Sequence, residues 1–205
     1  MPRQLNLAEF ENENETGTYV LDFRPGKEFV NGFVPGSFYI SPRFLKSNIR
    51  QEVIQPAENL AIIAPNYLVD DAIRALEKVN YENIVGWLKG GYETWLESGN
   101  NLDVIISIEP DELMMDMKFD DPQVIDIRSE EAYFARHLEG AENIPVENLL
   151  FNLEDLPKDG IFYMYCDDGE LSLSIISCLK SQGFHNFYHV TGGFDALLQN
   201  EAAME

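Results

Sequence analysis

Short apolar runs alternate along the chain with stretches whose apolar residues recur at helical spacing. In the first half, Tyr19-Val20-Leu21-Asp22-Phe23-Arg24, Leu60-Ala61-Ile62-Ile63 and Asn83-Ile84-Val85-Gly86-Trp87-Leu88 read as strands. In the second half, Gln123-Val124-Ile125-Asp126-Ile127-Arg128, residues 161–165 and Asn186-Phe187-Tyr188-His189-Val190 do the same. Ile73, Leu76 and Val79, and later Leu171, Ile175, Cys178 and Leu179, fall on one face of a helix. Strands alternating with helices imply a mostly parallel sheet covered on both faces, an α/β fold.

The pattern occurs twice. Each half has an apolar strand ending in Asp-x-Arg, a Gly turn, a second apolar segment, a third strand, a helix, and a fourth strand before Gly-Gly. Val34-Pro35-Gly36-Ser37 is echoed by Leu138-Glu139-Gly140-Ala141, and Gly90-Gly91-Tyr92 by Gly192-Gly193-Phe194. The offset stays at about 100 residues, too long for a solenoid and right for two copies of one domain. The polar Ser-Gly-Asn-Asn stretch at 98–101 marks the boundary, giving domains 1–100 and 101–205. The apolar Val104-Ile105-Ile106 is expected to start the second sheet.

With 205 residues, 45% of them hydrophobic, the chain can bury a substantial core. No apolar run approaches the roughly 18 residues of a membrane span, and the first residues are not followed by a signal-peptide core. The cytoplasm is the expected location. The net charge of −22 opposes binding to nucleic acid or to anionic lipid. Its acids are scattered as on solvated faces. His137, His185 and His189 have no metal-ligand spacing with Cys166 or Cys178, so neither metal nor cofactor is expected. No Gly-x-Gly-x-x-Gly or Walker pattern points to a nucleotide.

Candidate chemistry concentrates at Cys166, where the strand 161–165 runs into Asp167, Asp168, Gly169, Glu170, Leu171 and Ser172, ahead of a helix expected over 173–180. A thiol at a strand-to-helix turn faces several backbone N–H groups, which favour thiolate, a nucleophile. Most cysteines, however, are small buried hydrophobes, and position alone leaves both readings open. In an open parallel sheet ligands bind beyond the carboxyl ends of strands. Cys166 lies at such an end, whereas Cys178 lies on the apolar helix stripe and reads as core.

These residues resemble the rhodanese family of sulfurtransferases. Asp22, Arg24, Glu28, Phe29, Gly32, Pro35, Gly36, Gly90, Gly91 and Trp95 match its pattern in the first copy. Asp126, Arg128, Tyr133, His137, Gly140, Ala141, Asn143, Ile144, Pro145, Gly192 and Gly193 match in the second. The resemblance implies tandem rhodanese-like domains with Cys166 as the catalytic nucleophile and residues 167–172 as the substrate-binding loop. The first copy has Ile62-Ile63-Ala64-Pro65-Asn66-Tyr67 at that place and so no thiol to carry sulfur. The pairing also looks like the rhodanese region of metallo-β-lactamase/persulfide dioxygenase fusions, which implies such a domain as a fused or separate partner.

Active rhodaneses usually end this loop in an arginine that helps hold thiosulfate. Here Leu171 stands there, among Asp167, Asp168 and Glu170. Carboxylates near the sulfur should favour the neutral thiol and repel a dianion. A small or protein-bound persulfide is then the better donor, and a thiol the acceptor. Asp126 and Arg128, like Asp22 and Arg24, read as structural pairs because they recur in the copy without a thiol. His137 is a candidate base near the sulfur, although the resemblance implies a supporting role in the fold. Two readings follow: a sulfurtransferase working through a Cys166 persulfide, and a catalytically weak binding or regulatory module. A cysteine phosphatase fits poorly, because Ser172 sits where its terminal arginine would be.

Overall fold

The computed structural model describes residues 2–204 apart from 48–49, 153–155 and 157, with only the backbone described for 201–204. The chain divides into two compact units, Met1–Val104 and Ile105–Glu205. In the first unit the order is β1 (Arg3–Leu5), α1 (Leu7–Glu15), β2 (Tyr19–Asp22), α2 (Gly26–Phe29), β3 (Phe38–Tyr39), α3 (Pro42–Lys46), α4 (Arg50–Val53), β4 (Leu60–Ile63), α5 (Val69–Glu77), β5 (Ile84–Leu88) and α6 (Tyr92–Glu97). The second unit runs β6 (Ser107–Ile108), α7 (Pro110–Phe119), β7 (Gln123–Asp126), α8 (Glu130–Ala135), β8 (Glu142–Asn143), α9 (Val146–Phe151), β9 (Phe162–Tyr165), α10 (Glu170–Ser181), β10 (Phe187–Val190) and α11 (Gly193–Met204).

Both sheets are parallel and five-stranded, in the orders β1-β5-β4-β2-β3 and β6-β10-β9-β7-β8. Helices cover both faces, which is why the central strand β4 is buried at every position. The fold is thus α/β with two parallel-sheet domains, as the alternation predicts. The edge strand β1 lay outside the sequence pattern. It is three residues long with a single buried side chain, Leu5, too short to show a period. In the second unit the sheet begins at Ser107, later than the apolar 104–106 segment suggested. Ile106 already contributes its carbonyl to His189 N at 2.9 Å, and Ile105 is buried while its neighbours are half exposed.

The Asp-x-Arg motif closes β2 and β7 in the same way. Arg24 Nε and Nη2 donate to both oxygens of Asp22, and Nη2 also donates to Gly32 O at 2.9 Å. Arg128 repeats this on Asp126, with Arg136 O as the further acceptor at 2.9 Å. Each guanidinium covers the ring that follows its Gly-Gly pair, Tyr92 at 3.6 Å and Phe194 at 3.8 Å. A buried ion pair with this many partners holds a strand end and a loop together; losing one partner would leave a buried charge uncompensated. The same clasp is present in the unit without a thiol.

Candidate functional site

β9 delivers Cys166 to the carboxyl edge of the second sheet. The loop beyond it is clamped from below by the start of α11: Phe194 N donates to Cys166 O at 2.8 Å, and Asp195 N donates to Asp167 O at 2.9 Å. This approach needs glycine. A Cβ on Gly193 (φ +58°) would lie 2.5 Å from Cys166 O and 2.6 Å from Gly169 N. Gly169 itself turns the chain at φ +83°, in the left-handed region, with Gly192 N 3.0 Å from where its Cβ would be. The Gly-Gly pair of the sequence therefore serves close backbone packing beneath the loop.

The helix expected over 173–180 begins three residues earlier, at Glu170, directly after the Gly169 turn, and two local hydrogen bonds brace its start. Asp168 Oδ1 accepts from Glu170 N at 3.1 Å, and Ser172 Oγ donates to Gly169 O at 3.0 Å. Glu170, Leu171 and Ser172 thus form the first helical turn, whose backbone N–H groups have no partner inside the helix. One of them, Ser172 N, donates to Cys166 Sγ at 3.3 Å. The thiol in turn donates to Asp168 Oδ1 at 3.8 Å. Asp168 is exposed, while Asp167 and Glu170 are half buried.

Cys166 is 1% exposed, and this decides its chemistry at rest. Burial pushes the thiol above its ordinary pKa and the Asp168 charge adds to the rise, although Ser172 and the Gly169 N–H pull the other way. Of the opposing influences read in the sequence, the loop amides are outweighed: desolvation, with the Asp168 charge, favours the neutral thiol. Cys178 is also buried, on α10, where it accepts a hydrogen bond from Gln182 Nε2 at 3.7 Å and is pushed up to about 12 by burial.

His137 is exposed and engaged elsewhere, its Nδ1 2.9 Å from Tyr133 O and its ring stacked on Tyr133 at 3.8 Å. The histidine against the loop is His189 of β10, whose Nδ1 lies 3.5 Å from Ser172 Oγ. Sequence reasoning passed over it as part of the repeat. The signal was present, since His189 breaks an otherwise apolar strand immediately before Gly-Gly. Among the described residues no cluster of three or more His, Cys, Asp or Glu is placed to hold a metal ion, and no helix is long and apolar enough to cross a membrane.

In the first unit the equivalent of Cys166 is Ala64, since Asp22 pairs with Ile63 as Asp126 pairs with Tyr165. By the same reasoning Trp87, paired with Ile62, stands where His189 pairs with Met164.

Parts of this chain are similar to known sulfurtransferases. Thiosulfate sulfurtransferase GlpE of Pseudomonas putida is 30% identical over 88 residues, 43% of this chain and 80% of that protein. GlpE of Pseudomonas entomophila is 33% identical over 72 residues, 35% of this chain and 66% of its own length. The adenylyltransferase and sulfurtransferase uba4 of Ogataea parapolymorpha is 36% identical over 74 residues, and the match spans 19% of that longer protein. Among solved structures, the 3-mercaptopyruvate sulfotransferase SseA of Escherichia coli aligns over 94% of this chain and 98% of its own, at 15% identity and a TM-score of 0.41. A model of the rhodanese-like domain matches residues 6–98 and again 109–200, so nearly all of the chain, in two consecutive copies, belongs to the rhodanese-like domain family.

Proposed function

We propose that the second domain transfers sulfane sulfur through a persulfide on Cys166, and that the first domain carries no chemistry of this kind. The observation that supports this most directly is the placement of the sulfur. It sits at the end of a central strand, accepts the Ser172 N–H at 3.3 Å, and lies in a loop that the start of α11 holds in place. In the first half-reaction the Cys166 thiolate attacks the outer sulfur of a donor persulfide R–S–SH. The enzyme S–S bond forms, the donor S–S bond breaks, and R–S⁻ leaves. In the second, an acceptor thiolate attacks the outer sulfur, giving the acceptor persulfide and returning Cys166 as thiolate. Backbone N–H groups at the helix start stabilise the anionic sulfur in both steps.

The loop favours a persulfide over thiosulfate as donor. Leu171 supplies no cation for a sulfonate, and the Asp168 carboxylate oxygen 3.8 Å from Sγ repels one. A small-molecule persulfide and a thiol acceptor are the partners this reading requires, and reduced cysteines of this kind fit a cytoplasmic location. A metallo-β-lactamase-fold partner rests on the fusion resemblance alone.

One observation favours the alternative of a weakly catalytic binding module: the thiol is buried and held largely protonated by its surroundings. Intact mass after exposure to glutathione persulfide, and separately to thiosulfate, distinguishes the two. The sulfurtransferase reading expects a gain of one sulfur from the persulfide, lost on adding a thiol. No gain from either donor would leave the binding module.

A further inference from the structure

β10 carries one ionisable side chain into the core of the second unit. His189 is 6% exposed, with Nδ1 3.5 Å from Ser172 Oγ and Cε1 3.2 Å from where a Cβ on Gly169 would stand. Ser172 has a single hydroxyl proton, and Gly169 O takes it at 3.0 Å. With that proton so placed, a hydrogen bond between the ring and Oγ takes the Nδ1–H tautomer of His189. Burial pushes the His189 pKa down to about 4, so near neutral pH the ring is uncharged and carries one N–H. Ser172 meets the sulfur twice, through its backbone N–H at 3.3 Å and through its hydroxyl. His189, the Ser172 hydroxyl and the Cys166 sulfur thus stand in line from β10 through the first turn of α10 to the end of β9, with the hydroxyl proton directed at Gly169 O rather than at the sulfur.

The charged groups around this chain do not supply what an anionic sulfur needs. Asp168 faces Sγ, while Glu170 and Asp195 stand in the first turns of α10 and α11. The cation on the neighbouring β7 end, Arg128, is committed to Asp126 and Phe194. Neutral donors must carry the stabilisation, and a donor behind a hydroxyl strengthens that hydroxyl as a donor.

We propose that His189 is a positioning residue for the Cys166 sulfur anion. Its Nδ1–H fixes and polarises the Ser172 hydroxyl, which turns its proton from the Gly169 carbonyl to the sulfur when thiolate or persulfide anion forms. The inference rests on the reading of Cys166 as a nucleophile, but its test uses no sulfur donor and so stands apart from whether transfer occurs.

In the full chain carrying Cys178→Ser, Cys166 is the one remaining thiol, and the pH dependence of its alkylation by iodoacetamide, followed by intact mass, reads its thiolate fraction. His189→Leu is expected to slow alkylation about tenfold near neutral pH, the scale of a lost hydrogen bond to a charged group. Ser172→Ala is expected to do at least as much, and adding His189→Leu to it should change little further, because the ring acts through the hydroxyl. His189→Asn places a side-chain nitrogen where Nδ1 was and should keep the original profile. His189→Gln reaches toward the Nε2 position instead and should not. If His189→Leu fails to fold, the Asn and Gln variants decide, with Gln taking the place of Leu in the double variant. Alike alkylation profiles for the Asn, Gln and unsubstituted proteins, or losses that simply add in the double variant, would overturn the proposal.

Discussion

The two units share strand order, the Asp-x-Arg clasp and the Gly-Gly turn, and differ where the sheet presents side chains to the loop after its central strand. The first has Ala64 and Trp87 where the second has Cys166 and His189. Their loops differ as well: Pro65 follows Ala64, whereas Gly169 turns the second loop with φ +83°. Fold stability and the proposed sulfur chemistry are therefore separable here. The buried ion pair and its aromatic cover persist without a thiol, so they belong to the scaffold, while the cysteine and its loop are particular to the second unit and to the function proposed for it.

The sharpest way to break this comparison is to move the thiol. Cys166→Ser is expected to abolish sulfur uptake, a loss of a thousandfold or more on the order of other nucleophile deletions. Ala64→Cys in that background should restore almost none of it, because the first loop, Pro65-Asn66-Tyr67-Leu68, lacks the glycine turn that leads to the Ser172 N–H on the Cys166 sulfur. Intact mass after glutathione persulfide reads both variants, and substantial persulfide on residue 64 would show that the scaffold alone suffices.

Next in size is the clamp beneath the loop. Gly193→Ala forces a Cβ to 2.5 Å from Cys166 O at φ +58°, and is expected to cost about 3 kcal/mol along with most sulfur uptake. Gly99→Ala also takes a positive φ, +77°, but meets nothing within 4 Å, and should cost only about 1 kcal/mol with activity kept. Urea unfolding measures both. Equal costs would mean that backbone strain, not the close approach, dominates at Gly193.

Acid should separate the units by a similar amount. His189 titrates near 4 in the folded protein against an ordinary value of about 6.5. Its folded pKa is depressed, so the unfolded chain binds the proton first. Stability from this residue is full above pH ~6.5, falls as pH drops toward ~4, and the loss levels off at about 3 kcal/mol below that. The first unit contains no histidine. Hydrogen exchange read separately on β9–β10 and on β4–β5 should show the acid loss in the second unit, and His189→Asn should remove it.

The smallest effect concerns the donor. Leu171→Arg should raise uptake from thiosulfate several-fold, since it places a cation at the loop end. Adding Asp167→Ser and Glu170→Ser should raise it further. Unchanged thiosulfate rates in both variants would show that anion binding does not limit this site.

The sequence by itself determined the duplication, the parallel α/β architecture, the strand end that carries Cys166 and the absence of a thiol in the first copy. These follow from local periodicity and from residues adjacent in the chain, such as Asp126 with Arg128 and Gly192 with Gly193. Only the tertiary structure decided how the site behaves. Cys166 is buried in the folded unit, and that desolvation outweighs the helix-start amides that its own neighbours supply. His137 and His189 both stand near Gly-containing motifs, yet only His189 packs against Gly169 and Ser172. That choice depends on sheet register and on glycine-permitted contacts between segments more than 15 residues apart, and no period within a strand or helix encodes either.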